Sequence, residues 1–233
     1  MLARVVGGAP PMARSTGMRS LRSLLLTSCG VVALTGCRCA TPAPAPSPET
    51  RAPPAALRSV ESFADIQDAR ERSVALFVEA GRVIAHPRCT SCHPADGRPR
   101  QGMEQRAHVP AVVGGEDGHG PPGLPCTACH QATNTPTVGA TVASIPGNPK
   151  WALAPVEMAW VGHSLGAICE QLKDPKRNGG KDLAALQHHM AKDELVGWGW
   201  DPGPGRQPVP GTQAAFGRLF QAWVDSGAYC PEP

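Results

Sequence analysis

The sequence predicts one small, mostly α-helical and loop-rich domain, on three observations. Twenty-six glycines and 26 prolines in 233 residues interrupt regular structure at short intervals, yet 41% apolar against 18% charged residues is too apolar a mixture for wholesale disorder. Apolar residues recur at helical spacing in several segments, and the turn-rich stretches between them lack strand alternation. Five Trp, four Phe and one Tyr supply less core volume than a chain of this length usually buries, so a prosthetic group is expected to fill part of the interior.

From the N-terminus, basic residues up to Arg22 lead into an apolar run, Leu24 to Leu34, of export-signal length and too short to remain as a membrane span. Leu34-Thr35-Gly36-Cys37 resembles the lipobox of bacterial lipoproteins, with cleavage before Cys37 and lipid on its thiol. A second match ends at Cys29, but cleavage there leaves too few apolar residues for insertion. The long lead before the run puts the expected translation start at Met12 or Met18. Residues 1–36 carry four arginines and no acid, so their removal takes the formal charge from +3 to −1 and removes the argument for a nucleic-acid partner. Residues 37–58 are Pro/Ala-rich without apolar periodicity and are expected to form an extended tether. Residues 59–233 then form the body.

Within the body, Phe63, Ile66, Val74, Phe77 and Ile84 phase as one helix over 59–85. Residues 94–125 hold 7 Gly and 6 Pro and are expected to wrap as a loop. Met158, Val161, Leu165, Ile168 and Leu172 share a face of a helix opening at Pro155. Asp182 is the expected N-cap of a helix reaching Leu195, with Leu183, Leu186 and Met190 as its stripe. The turn segment from Trp198 to Gly205 carries two large rings, Trp198 and Trp200, that either cover a planar group or close the core. Phe216, Leu219, Phe220, Trp223 and Val224 follow i, i+3, i+4, i+7, i+8 and predict a buried helix face that stops at Gly227.

Two segments carry the chemistry: Cys89-Thr90-Ser91-Cys92-His93 and Cys126-Thr127-Ala128-Cys129-His130 both fit the C-x-x-C-H attachment signature of c-type haem. Two thiols two residues apart can add to the two vinyl groups on one porphyrin edge, and the next residue then offers its imidazole to the iron. A thioredoxin-like motif wants a βαβ context that is missing here, and a four-cysteine zinc site has no use for the trailing histidines. The motifs resemble those of c-type cytochromes, a resemblance that implies attachment outside the cytoplasm, so the expected export also favours haem. Cys89, Cys92, Cys126 and Cys129 are therefore expected to hold two haem c groups, with His93 and His130 as proximal ligands. An ordered part of about 175 residues has a radius of gyration of roughly 16 Å, which keeps two irons close.

For the sixth ligands there remain His86, His108, His119, His163, His188 and His189, with Met103, Met158 and Met190 as thioethers. His163 falls opposite the apolar face of its segment and is expected in solvent, while Met158 reads as core packing. His189 flanks the apolar stripe of its helix, from which a ring could reach a haem edge, and His188 points away; an exposed polar pair is the plain alternative. His86 lies too close to Cys89 to reach the far side of its own haem and could serve only the other one. His108, stiffened by Val109-Pro110, and His119, between glycines, sit on the connector. The order of expectation is His189, His108, His86, then His119, with Met190 a competitor that would raise the potential. In an oxidising compartment Cys169 and Cys230 are the expected disulfide, leaving Cys39 free beside the anchor.

The run Ala85-His86-Pro87-Arg88-Cys89-Thr90-Ser91-Cys92-His93-Pro94 and the second motif with Gln131 resemble the haem-bearing subunits of isoquinoline 1-oxidoreductase. So do Glu157-Met158-Ala159-Trp160, Lys173 to Gly180 and Val196-Gly197-Trp198-Gly199-Trp200; the resemblance covers about residues 60 to 231. It implies a periplasmic electron acceptor for a molybdenum hydroxylase. The chain departs from a complete hydroxylase, since it has no C-x₄-C-x₂-C iron–sulfur pattern and no visible molybdopterin or flavin domain, so hydroxylation would belong to a separate subunit. The expected function is a lipid-anchored dihaem cytochrome c on the periplasmic side of a bacterial membrane, relaying single electrons from a dehydrogenase to a respiratory acceptor. A dihaem peroxidase-like enzyme or a haem sensor is the alternative, and each needs one open iron.

Overall fold

The computed structural model describes residues 55–137 and 144–233. The expected signal, the lipobox at Cys37 and most of the tether lie outside the described residues. Among the described residues no helix is long and apolar enough to cross a membrane. The chain is helix-rich and loop-rich with few strands, as the composition predicts.

Helix α1 (Ala69–Ile84) opens where Asp68 accepts the Glu71 N–H at 2.8 Å, so the single helix expected over 59–85 is divided. Its first part is a 3₁₀ turn, Val60–Phe63. The tether also ends earlier than expected: Leu57 packs on the core, and the Arg58 N–H donates to Glu79 at 2.9 Å. Helix α2 (Pro87–Thr90) opens the first cysteine motif, and α3 (Leu165–Lys173), α4 (Leu183–Lys192), α5 (Glu194–Gly197) and α6 (Gln213–Asp225) follow the connector. Two small antiparallel pairs of strands follow the two motifs. In one, β1 (Arg100–Gln101) pairs with β2 (Arg106–Ala107); in the other, β3 (Thr135–Pro136) pairs with β4 (Ser144–Ile145).

The predicted stripe of α6 is the centre of the core. Phe216, Leu219, Phe220 and Trp223 are buried against Leu76, Phe77, Ala80, Val83 and Ile84 of α1 and Leu186 and Met190 of α4. Aromatic rings run through it in sequence: Phe77 to Trp223 at 4.9 Å, Trp223 to Phe220 at 4.8 Å, Phe220 to Phe216 at 6.1 Å and Phe216 to Trp200 at 5.6 Å. Ser73 of α1, fully buried, donates to the Trp223 carbonyl and accepts from the Tyr229 N–H, tying α1 to the chain after α6. Cys169 of α3 and Cys230 form a disulfide across the same end of the core.

Two further helix expectations are corrected. The helix predicted from Pro155 through Leu172 is a 3₁₀ turn at Val156–Met158, a loop, and then α3, because the Ser164 hydroxyl accepts from Ala167 N–H and starts a new helix. Its apolar residues still reach one core, since Met158, Ile168 and Leu172 are all buried. The helix from Asp182 begins as predicted, the Asp182 carboxylate accepting from Ala185 N–H at 2.7 Å, but ends at Lys192. There Asp193 accepts from Leu195 and Val196 and caps α5 in a new direction.

Candidate functional site

Each cysteine motif is folded as one tight turn. In the first, His86 caps α2, Pro87 takes its first position, and the Cys92 and His93 N–H groups bond back to the Cys89 and Thr90 carbonyls. Gln105, from the β1–β2 turn, donates to Thr90 Oγ1 at 2.7 Å and to the Pro87 carbonyl at 3.1 Å and clamps this turn from outside. The second motif closes through a 3₁₀ turn at Cys126–Ala128, with the His130 N–H on the Cys126 carbonyl at 2.9 Å.

Both motif histidines are held in the same way. His93 Nδ1 lies 2.8 Å from the Met158 carbonyl, and His130 Nδ1 lies 2.8 Å from the Pro146 carbonyl. A carbonyl only accepts, so Nδ1 must carry the ring proton and Nε2 presents its lone pair. This is the arrangement of a metal-ligating histidine whose other nitrogen is fixed by a backbone acceptor. Each ring is also backed by a tryptophan: Trp160 stacks on His93 at 3.5 Å and 7°, and Trp151 on His130 at 4.5 Å and 10°. Burial pulls the His93 imidazole down to about 4 and lowers that of His130, so both rings are neutral at neutral pH.

The motifs open into two cavities. The larger, about 410 Å³, is lined by Cys126, Cys129, His130 and His108; the smaller, about 240 Å³, by Cys89, Cys92, His93 and His189. Arg88, Cys92, Trp151, Ala152, Leu153 and Trp198 line both. The strip 151–154 is fixed at its end by Leu153 N–H on the Gly118 carbonyl and Ala154 N–H on the Cys92 carbonyl, so it is anchored to the connector on one side and the first motif on the other. Trp198 is locked by its Nε1–H on Asn134 Oδ1 at 2.9 Å, while Asn134 also accepts from Gly147 N–H.

Each motif offers two thiols and one imidazole with a free Nε2, the donors that haem c would use. Among the described residues no three His, Cys, Asp or Glu side chains gather into a metal cage, which a structural zinc ion needs. Haem iron needs only axial ligands from the chain, because the porphyrin supplies the other four. The larger cavity is lined by Arg88, Arg100, Arg106 and Arg206 against one acid, Glu104, and the smaller by Arg88 and Lys181 with no acid, which suits a group bearing carboxylates. Val109, Val113 and Leu124 line the larger cavity with exposed apolar surface, and Trp160, which lines the smaller, has a buried Nε1–H without a partner among the described residues. Burial pushes the Cys89 thiol up to about 12 and that of Cys92 up to about 11, so the first pair is a poor source of thiolate for disulfide exchange.

No protein-family model, curated protein or solved structure matches the chain.

The remaining predicted residues are distributed unequally. His108 and His189 line the two cavities, whereas His86 lines neither. His86 Nδ1 accepts the Arg88 N–H at 3.1 Å, which places its proton on Nε2, the reverse of the motif histidines. His119, His163 and His188 are exposed, Met103 lines the larger cavity, and Met158 and Met190 are both buried and line the smaller one. The two rings of the turn segment divide the expected roles: Trp198 faces both cavities and Trp200 packs on Phe216. Trp151, Gln105, Asn134 and the carbonyls of Met158 and Pro146 belong to no sequence motif; the run Glu157-Met158-Ala159-Trp160 is the one signal near them.

Proposed function

We propose that this chain is a dihaem cytochrome c that carries electrons, with haem on Cys89 and Cys92 under His93 and on Cys126 and Cys129 under His130. The observation that carries this reading is the shared tautomer of the two motif histidines: each follows a thiol pair, and each gives its Nδ1 proton to a carbonyl at 2.8 Å. Bound there, each haem supplies a one-electron iron couple. The chain's own residues orient the ligands, exclude water and set the charge around the group. The Met158 and Pro146 carbonyls raise the basicity of each imidazole, Trp160 and Trp151 fix the ring planes, and the arginines and Lys181 offset the carboxylates. That Cys92 and Trp151 line both cavities supports electron passage between the sites.

The wider reading places this carrier on the periplasmic side of a bacterial membrane, anchored by lipid at Cys37. It takes electrons from a separate molybdenum-hydroxylase-type dehydrogenase, like the isoquinoline 1-oxidoreductase subunits it resembles, and passes them to a respiratory acceptor. The test is to produce the chain in a host able to attach haem c and to measure intact mass and pyridine haemochrome. Two haems per chain that survive acid–acetone extraction are expected, and extraction of all the colour overturns the reading.

A further inference from the structure

We infer that both sites are closed by a second imidazole, His108 opposite His130 and His189 opposite His93. The inference rests on the dihaem reading and adds the coordination state of each iron.

His108 comes from the loop after β2 and His130 from the second motif, yet both line the larger cavity with ring centres 6.0 Å apart. Two imidazoles on opposite sides of one iron, each about 2.0 Å away at nitrogen and about 1.2 Å from nitrogen to ring centre, stand roughly 6.3 Å apart. His108 also repeats the motif histidines' hydrogen bond, with Nδ1 on the Pro110 carbonyl at 2.9 Å. Its proton is therefore on Nδ1 and its Nε2 is the nitrogen left for a metal.

His189 lines the smaller cavity from α4. Its Nδ1 stands 3.5 Å from Asp193 Oδ2, a carboxylate behind the ring, while Asp193 Oδ1 is committed to Leu195 and Val196. α6 steadies this end of α4, since the Gln213 side chain donates to the Asp193 carbonyl at 2.9 Å. The thioether competitor Met190 lines the same cavity one residue away, beside Leu186 and Phe216; what favours His189 is the Asp193 carboxylate at its Nδ1, the kind of partner that orients a metal-ligating imidazole. His86 has the wrong tautomer, and His119 and His163 line neither cavity. Two closed irons make the chain an electron carrier and leave no position for peroxide or a sensed gas. Without a thioether ligand, both potentials fall below those of His/Met cytochromes c.

The full chain, matured with haem, is the test material. Ferric wild type is expected to be wholly low-spin, and its reduced form to bind no carbon monoxide. His108→Gly and His189→Gly should each make one of the two haems high-spin and bind one carbon monoxide per chain, and added imidazole should restore the low-spin spectrum, which shows that the fold is intact. His119→Gly and His163→Gly should change nothing. The pairing itself is read in a Cys126→Ser/Cys129→Ser chain that keeps the first haem alone: there His189→Gly opens the iron and His108→Gly is silent. A low-spin, carbon-monoxide-inert spectrum in either glycine variant overturns the assignment, as does opening of the first haem by Met190→Leu in place of His189→Gly. A pyridine haemochrome count other than two overturns the dihaem reading itself, and the pairing with it.

Discussion

Gly217 of α6 packs directly against Ala191 of α4, and replacing it by alanine gives a measurable test of how the helical core positions the smaller cavity. A Cβ at residue 217 would lie 2.5 Å from Ala191 Cβ and 3.0 Å from Ala191 Cα. Carbon atoms rest at about 3.5–4.0 Å, so the helices must part by roughly 1 Å. Overpacking of this kind costs about 1–3 kcal/mol, against a gain of about 1 kcal/mol from removing glycine from a helix interior. The net loss expected for Gly217→Ala is thus about 0–2 kcal/mol, or up to roughly 8 °C in Tm for a body of this size. Ala191→Gly alone should cost about 1 kcal/mol by helix propensity. The double variant should recover the clash energy, giving a favourable coupling of about 1–3 kcal/mol in a urea-unfolding cycle followed by circular dichroism. Strict additivity of the two changes would refute the claim that this contact sets the α4–α6 spacing. Because Ala191 lies two residues beyond His189, the single variant should also raise the high-spin fraction of the matured protein, and the double variant should lower it again.

Further outcomes follow from other contacts. Replacing Cys169 and Cys230 together by alanine opens a link 61 residues apart in sequence, which should cost about 4 kcal/mol in chain entropy and lower Tm by roughly 10 °C; an unchanged melting curve under non-reducing conditions contradicts this. Burial, with Arg88 nearby, holds the His86 imidazole down at about 4 against an ordinary 6.5, so its contribution to stability is whole above pH 6.5 and is lost as the pH falls toward 4. His86→Asn, which keeps an acceptor for the Arg88 N–H without titrating, should flatten Tm across that range relative to wild type, and an equal slope in both proteins refutes the assignment. Gly118→Ala puts a side chain at φ +82° with its Cβ 2.4 Å from the Leu153 carbonyl oxygen, so it should cost about 2 kcal/mol or more and lower the yield of haem at the second motif, read as haem per chain.

Side-chain patterns made much of the architecture legible. The spacing of Phe216, Leu219, Phe220 and Trp223 marks the buried face of α6, and Asp182 marks the start of α4, because burial and capping depend on residue type. The same apolar spacing misled at residues 155–172, where a stripe continues across a break that the Ser164 cap imposes. The site was half visible for a related reason. The thiols and the histidines of the motifs announce themselves, and two of the candidate histidines, His108 and His189, line the cavities, but the groups that fix the motif rings are backbone carbonyls. Met158 is 65 residues from His93, and any residue there could offer its C=O, so no residue type signals the bond. For His86, spacing says only that it could serve the other haem, whereas the structure shows its Nδ1 taken by the Arg88 N–H, a contact no residue type signals.

The strip from Trp151 to Ala154 has one further consequence. It is a party wall, and its two faces cannot be furnished separately: pushed toward one chamber, it enlarges the other by the same amount. Ala152 and Ala154 are the smallest side chains in that wall, and of the two only Ala152 borders both chambers. Bulk added at that position intrudes on two neighbours at once, so the tolerances of the two rooms are set jointly by a single short stretch of chain.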